Sequence, residues 1–377
     1  MISSGARALS VDASISTNDS NDYRYVQGFG RFSGVSGLVT EVDGDAVVVR
    51  YADPQHRAGT VSVWAHLHLG DTTMAEVDGG WEIRLTDLRV DRLEYLLDVD
   101  GELRPDPSNP RRVARPFGEH SWIPLTGYRE PAWLRQEVVE GERASLTLSH
   151  TGTGRIDIEL WSPKESAGDD ALPLLLCHDG PEMDAYASLT SYVAALVADG
   201  RLRPMRVALL APGPRNKRYA ANPAYARALT TRVLPAITEA VPTSGRPVLM
   251  GQSLGALAAL HAAWTSPETF GGLFLQSGSF FTPELDPQES GFEYWREVTG
   301  FVASVRAARH AAPGAPPTTL TCGSAEENHA NNVVMRDHLA EVGVETAWGE
   351  VRDGHTWTCW RDTLDPHLTD LLTRAWG

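Results

Sequence analysis

The chain has 377 residues, of which 42% are apolar and 22% charged; these are globular values and exclude a disordered, fibrous or collagen-like protein. Its 33 Lys and Arg against 49 Asp and Glu leave a formal charge of −16, which argues against a general nucleic-acid binder or a protein drawn to anionic membranes. At about one domain per 150 residues the length predicts two domains, each long enough to bury a core.

Residues 1–21 are rich in Ser, Asp and Asn and carry neither the basic nor the apolar segment of a secretion signal, so a polar leader on a cytoplasmic protein is expected. No apolar run reaches the roughly 18 residues of a membrane span. From 37 to 100 the pattern is one of short strands: 38–49 reads as two strands about the turn Asp43-Gly44-Asp45, 61–67 alternates with period two, and 81–85 and 93–99 continue the series. This predicts a small antiparallel β-sandwich. Segment 104–132, with Asp106-Pro-Ser-Asn-Pro-Arg-Arg112 and further prolines, lacks periodicity and reads as a surface linker.

A hairpin over 144–148 and 156–161 follows, turning at Gly152-Thr-Gly154. The rhythm then changes to buried strands at 172–177, 205–210, 248–250, 270–276, 318–322 and 346–351. Helices are expected between and after them at 183–198, 220–241, 254–264, 294–309, 331–342 and 359–376. Short apolar strands alternating with helices predict an α/β architecture, a doubly wound, mostly parallel sheet covered on both faces. The expected organisation is a leader over 1–21, a β-sandwich domain with its linker over 22–132, and a doubly wound α/β domain over 133–377. Cys177, Cys322 and Cys359 are odd in number, widely spaced and set in apolar surroundings, and read as buried free thiols.

Gly251-Gln-Ser253-Leu-Gly255 lies directly after a strand and directly before a helix. A serine on such a tight turn exposes its oxygen above the sheet, and the glycines answer the crowding of the turn. The N–H of Leu254 then sits at a helix N-terminus, suited to an oxyanion. The base is expected on a later loop at the same sheet edge. His355, in Asp353-Gly-His-Thr-Trp357, occupies that position. An acid between the two in chain order comes from Gly323-Ser-Ala-Glu-Glu-Asn328, with Glu326 preferred, Glu327 the alternative and Asp353 a rival more suited to a turn. The second oxyanion donor is expected from His178-Asp-Gly180-Pro-Glu182; since Pro181 has no N–H, Gly180 or Glu182 must supply it. His66 and His68 share a strand face, but no third ligand accompanies them, so no metal site is expected.

At these residues the second half resembles the enterochelin (enterobactin) esterases, within the esterase-D-like α/β-hydrolases. The resemblance rests on Gly251-Gln-Ser-Leu-Gly-Ala256, Gln276-Ser-Gly-Ser-Phe280 and Gly354-His-Thr-Trp-Thr-Cys-Trp-Arg361. The first half is similar to that family's N-terminal β-domain through Asp78-Gly-Gly-Trp81, Asp98-Val-Asp-Gly101 and Asp106-Pro-Ser-Asn-Pro110. The resemblance implies cytoplasmic hydrolysis of the ester bonds of a ferric tricatecholate trilactone siderophore, with Ser253 as nucleophile, His355 as base and the loop glutamate as orienting acid. Iron enters only with the substrate, and no cofactor, nucleic acid or membrane partner is implied. Two positions depart from the family pattern: Arg218 stands where relatives carry a glutamate, and Ala256 where a second glycine is usual.

Arg215, Lys217 and Arg218 follow the strand at 205–210 and are expected at the site's rim, holding an anionic ferric tris-catecholate by charge and by cation–π contact. Trp357, Trp360 and Tyr219 are the expected aromatic walls. A carbohydrate-linked or feruloyl esterase, or an acyltransferase, shares the same nucleophile chemistry. A non-catalytic glycan- or partner-binding protein working through Trp64 and Trp81 is the reading from another class.

Overall fold

The computed structural model describes residues 38–44, 46–67, 69–149, 151–164 and 170–377; the expected leader, Asp45 of the first turn and His68 lie outside the described residues. The first part of the chain forms β1 (Glu41–Asp43), β2 (Ala46–Ala52), β3 (Val61–Ala65), β4 (Ala75–Val77), β5 (Gly80–Leu85), β6 (Arg92–Val99), β7 (Glu102–Arg104), β8 (Arg112–Arg115) and β9 (Gly118–Pro124). Two antiparallel sheets result, ordered β1-β2-β5-β4 and β3-β6-β9-β8, with β7 paired to β6. Alternate residues point inward, so Val47 and Val49 of one sheet meet Val61, Val63, Leu93, Tyr95 and Leu97 of the other.

The expected linker over 104–132 is corrected by the pairing of Leu93 with Ile123 and of Val113 with His120, which makes β8 and β9 full members of the sandwich. Pro116 sits at the β8–β9 turn and Pro105, Pro107 and Pro110 in the loop 105–110, outside the ladder, while Pro124 closes β9 opposite Arg92. That loop is held by the buried Asp106 carboxylate, which accepts from Tyr95 Oη and Thr40 Oγ1 at 2.6 Å each.

The second part contributes β10 (Glu142–Leu148), β11 (Ile156–Ser162), β12 (Leu174–His178), β13 (Arg206–Leu210), β14 (Val248–Gln252), β15 (Gly272–Gln276), β16 (Thr318–Gly323) and β17 (Thr346–Val351). Their order is β10-β11-β13-β12-β14-β15-β16-β17, antiparallel across the first three and parallel from β13 onward. The helices are α1 (Gly180–Ala187), α2 (Leu189–Ala198), α3 (Arg215–Tyr219), α4 (Pro223–Ala228), α5 (Leu234–Ala240), α6 (Leu254–Thr265), α7 (Trp295–Arg306), α8 (His329–Glu341), α9 (Trp357–Asp362) and α10 (Thr369–Trp376). They cover both sheet faces. Leu174 and Leu176 of β12 pack with the cores of α4 to α8, while Leu175 and Cys177 point to α1, α2, α9 and α10.

Two expected helices are divided and a third starts late, each for an identifiable reason. Ser188 at φ 56° separates α1 from α2. The helix expected from 220 starts instead at Pro223, capped by Asn222, whose side chain accepts from the N–H groups of Ala224 and Tyr225 at 2.9 and 3.3 Å, and α4 runs on through a π-helical turn over Leu229–Val233 into α5. Asp365 is extended ahead of Pro366 and parts α9 from α10. All three cysteines are free and buried.

Candidate active site

Four loops leave the C-terminal ends of neighbouring parallel strands and converge above the sheet, where a doubly wound fold builds its sites. The loop after β14 is the tightest. Ser253 sits there at φ 56° and ψ −124°, a strained conformation, pinned by its N–H donating to Gln276 O at 2.9 Å. A Cβ on Gly251 would lie 2.4 Å from the carbonyl carbon and oxygen of Gly255, so only glycine lets strand and helix cross here. Ser253 Oγ lies 3.3 Å from Ser279 Oγ, and Leu254 opens α6 with its N–H beyond the reach of any intrahelical acceptor.

Glu326, in the turn after β16, has a fully buried side chain, and its Oε2 lies 2.7 Å from His355 Nδ1. Its other oxygen accepts from Gly323 N at 2.8 Å and Ser277 Oγ at 2.7 Å, so the carboxylate cannot swing away from the imidazole. Glu327 faces solvent. His355 Nε2 is buried without a hydrogen-bond partner, the free nitrogen a general base keeps for a hydroxyl. The ring's flank rests edge-on against Trp360, centroids 5.0 Å apart.

The loop after β12 is built for a close backbone approach. Asp179 is left-handed, and a Cβ on Gly180 would fall 2.3 Å from Leu209 Cα. Asp179 spends its own N–H on Tyr219 Oη at 3.2 Å, whereas Gly180, first in α1, has no intrahelical acceptor. Beside it, burial raises the Glu182 carboxyl above its usual range. His178 lies beneath, its Nδ1 3.1 Å from Gly255 O, and burial lowers its pKa to about 3, which keeps it neutral and outside proton transfer.

The rim expectations are corrected in most particulars. Arg215 is buried, with Nε and Nη2 on the Asp179 carboxylate at 3.0 and 2.9 Å and its guanidinium over Tyr219. It braces the Gly180 loop from below. Arg218 is 1% exposed. Its Nη1 donates to the carbonyls of Ala211 and Pro212 at 3.2 and 2.7 Å, its Nη2 to those of Thr153 and Arg155 at 3.3 and 2.8 Å. A planar fork with five donors can satisfy four converging carbonyls where no other side chain could; of the donors of these two buried arginines, Arg215 Nη1 and Arg218 Nε lack a partner among the described residues. Lys217 alone of the three is exposed. Trp357, Trp360 and Tyr219 are buried too; Trp360 Nε1 donates to Ser277 Oγ at 2.9 Å and Trp357 stacks edge-on against it, so these rings are packing.

Asp353 does not touch the imidazole. Its carboxylate accepts from Arg92 Nη2 at 2.9 Å and from Gly354 N at 2.7 Å, and burial raises its pKa to about 6 against the pull of Arg92. That contact with the sandwich was missed by sequence reasoning, because nothing local links positions 92 and 353. His66 lies just past β3 and packs edge-on against Trp64, 4.5 Å between centroids; burial lowers its pKa to about 3. Among the described residues no group of three His, Cys, Asp or Glu side chains could hold a metal ion, and no helix is long and apolar enough to cross a membrane. A serine on a strained elbow, two oriented N–H groups and a carboxylate-held imidazole can together carry out acyl transfer through a covalent intermediate.

The "Putative esterase" family model matches residues 149–371. Iron(III) enterobactin esterase of Escherichia coli K12 is 30% identical over 148 residues, covering 38% of this chain and 35% of that protein. That alignment thus spans about a third of the relative's length. Iron(III) enterobactin esterase of Dickeya dadantii is 26% identical over 313 residues, 75% of this chain and 72% of that one. Among solved structures, that of the enterobactin esterase FES from Shigella flexneri in the presence of enterobactin superposes with a TM-score of 0.73 at 20% identity, over 89% of this chain and 96% of that one. The α/β-hydrolase fold preceded by an antiparallel β-domain is therefore common to both.

Proposed function

The chain belongs to the Esterase family, and from that premise we propose that it is a serine esterase hydrolysing the trilactone ester bonds of a ferric catecholate siderophore of the enterobactin kind, releasing iron in the cytoplasm. The observation that carries this reading is the 2.7 Å contact of Glu326 with His355 Nδ1, which leaves Nε2 free. Ser253 Oγ attacks the ester carbonyl carbon while His355 Nε2 takes its proton, and Glu326 stabilises the imidazolium through Nδ1–H. The N–H groups of Leu254 and Gly180 receive the negative charge on the carbonyl oxygen. Collapse expels the serine alcohol of the next unit, protonated by His355, and leaves an acyl-enzyme that water hydrolyses by the same steps. The siderophore is a small-molecule partner, its iron is cargo, and the chemistry calls for no cofactor. The exposed Lys217 is the rim cation available to a negatively charged ferric complex.

Ferric and iron-free enterobactin are incubated with the enzyme and the products weighed by mass spectrometry; dihydroxybenzoyl-serine units are expected. Ser253→Ala and His355→Ala should each lose on the order of 10³-fold or more, and Glu326→Ala far more than Glu327→Ala. Lys217→Glu should raise KM for the ferric complex and leave a small neutral ester unaffected. Undiminished activity of Ser253→Ala would overturn the mechanism, and cleavage of p-nitrophenyl esters without any siderophore product would overturn the substrate.

A further inference from the structure

The segment on either side of His355 is gripped by the other domain. Arg92, on β6 of the sandwich, places Nη2 2.9 Å from Asp353 Oδ2 and 2.9 Å from Thr356 Oγ1, one residue on each side of the histidine. Its Nη1 donates to Glu94 Oε2 at 2.9 Å, and Glu94 is clasped in turn by Arg115, whose Nε donates to Oε1 at 2.6 Å. Arg115 then reaches across with Nη2 to Thr358 Oγ1 at 2.8 Å. The backbone adds a further tie, Asp91 N donating to Arg352 O at 2.7 Å. Gly354 lies so close under the end of β3 that a Cβ there would be 2.6 Å from His66 O.

We propose that Arg92, backed by Glu94 and Arg115, is a positioning residue that fixes the imidazole of His355, so that the β-sandwich is a working part of the catalytic centre. Two arginines face two carboxylates, Glu94 and Asp353, in a cluster whose side chains are buried. Such a group holds one arrangement, because moving any member strands a buried charge. His355 itself reaches the opposite way, to Glu326 beyond β16. The ring is thereby set from two directions: its Nδ1 from the hydrolase sheet, its backbone from the sandwich. A base displaced by even 1 Å from the hydroxyl it serves can lose about 10²-fold in rate. Arg92 touches neither Ser253 nor the oxyanion donors among its contacts, so its loss should act on kcat and spare KM.

The proposal rests on His355 being the base, and the test separates the two. In the full chain, Arg92→Lys, Arg92→Met, Thr358→Val and His355→Ala are assayed on a neutral p-nitrophenyl ester, with active sites counted by a fluorophosphonate. Arg92→Met is expected to lower kcat about 10- to 100-fold per labelled site with KM within about twofold. Lysine keeps the charge without the fork and should recover little of it, whereas guanidinium added at millimolar concentration to Arg92→Met should restore part. Thr358→Val, which removes only the Arg115 tether, should lose a smaller factor and remains informative if Arg92→Met does not fold. Unchanged kcat in Arg92→Lys and Thr358→Val would overturn the proposal, as would a rise in KM at constant kcat. Full activity in His355→Ala would instead overturn the esterase reading beneath it.

Discussion

Arg218 lies buried in a chain rich in acids, with Nη1 and Nη2 both ending on backbone carbonyls while Nε has no partner among the described residues and the guanidinium lies over the Tyr225 ring. Replacing it with methionine keeps the volume and abandons four acceptors, each worth about 1–3 kcal/mol when buried unmet; with partial relaxation we expect a loss of about 3 kcal/mol, or roughly 6–12 °C in Tm. Lys217→Met, one residue away and exposed, should stay within about 0.5 kcal/mol. Thermal unfolding followed by circular dichroism checks both, and equal effects would show that Arg218 is dispensable to the loop. The contrast also marks what a sequence makes legible. Ser253, Leu254 and His355 are singled out by strand-turn-helix context and chain order. The burial of Arg218 depends on the carbonyls of Thr153 and Arg155, more than 60 positions upstream, and no local pattern carries that information. Glu326 and Glu327 stand in one turn with one chemistry, and only the path of the chain after β16 decides which meets the imidazole.

The nucleophile elbow works as an element because β14 and α6 pass within backbone contact. Gly251→Ala pushes a methyl into the Gly255 carbonyl, and β14, paired to β12 and β15, has nowhere to retreat. We expect at least about 3 kcal/mol of destabilisation, at the upper end for overpacking. Gly255→Ala meets nothing nearer than His178 Cβ at 3.1 Å and Asp179 Oδ2 at 3.4 Å, and should cost clearly less; urea midpoints of the two variants give the order, and the reverse order would mean that the elbow opens more easily than its contacts imply. Element by element, the buried parallel strands are the most readable, since each is an apolar run with no competing pattern. The helix expected over 220–241 begins at Pro223, its start written in the capping signal Asn222-Pro223 that the periodicity outvotes. Strands β8 and β9 are hidden for a different reason: Arg115 and His120 look like surface residues, but face inward onto Glu94, so the inward positions are charged and the alternation disappears.

At the scale of the whole molecule the two domains share a buried charge cluster, and its pH dependence is predictable. Asp353 titrates at about 6 in the folded protein against a usual 3.8 because burial opposes its ionisation. The folded state therefore binds the extra proton between about pH 4 and 6, and this carboxylate's contribution to stability is full below about pH 4 and declines as pH rises through 6. Asp353→Asn removes the decline, so the variant should gain on the wild type by up to about 3 kcal/mol between pH 4 and 7. Glu94, held below the carboxylate range by Arg115, His120 and Arg92 in spite of its burial, runs the other way in both proteins and drops out of the difference. Urea unfolding of both at several pH values measures it; a flat difference would show that Arg92 keeps Asp353 ionised throughout. The same cluster also sets a clock. Arg92 and Asp353 are 261 positions apart, about 13–50 seconds of ribosomal synthesis at roughly 5–20 residues per second. A sandwich that forms within that interval has Glu94 but not yet Asp353 to partner its buried arginines. On the proposed mechanism, a nascent chain that already carries Ser253 has no base to activate it until His355 follows 102 positions later, so hydrolytic power waits for that second loop.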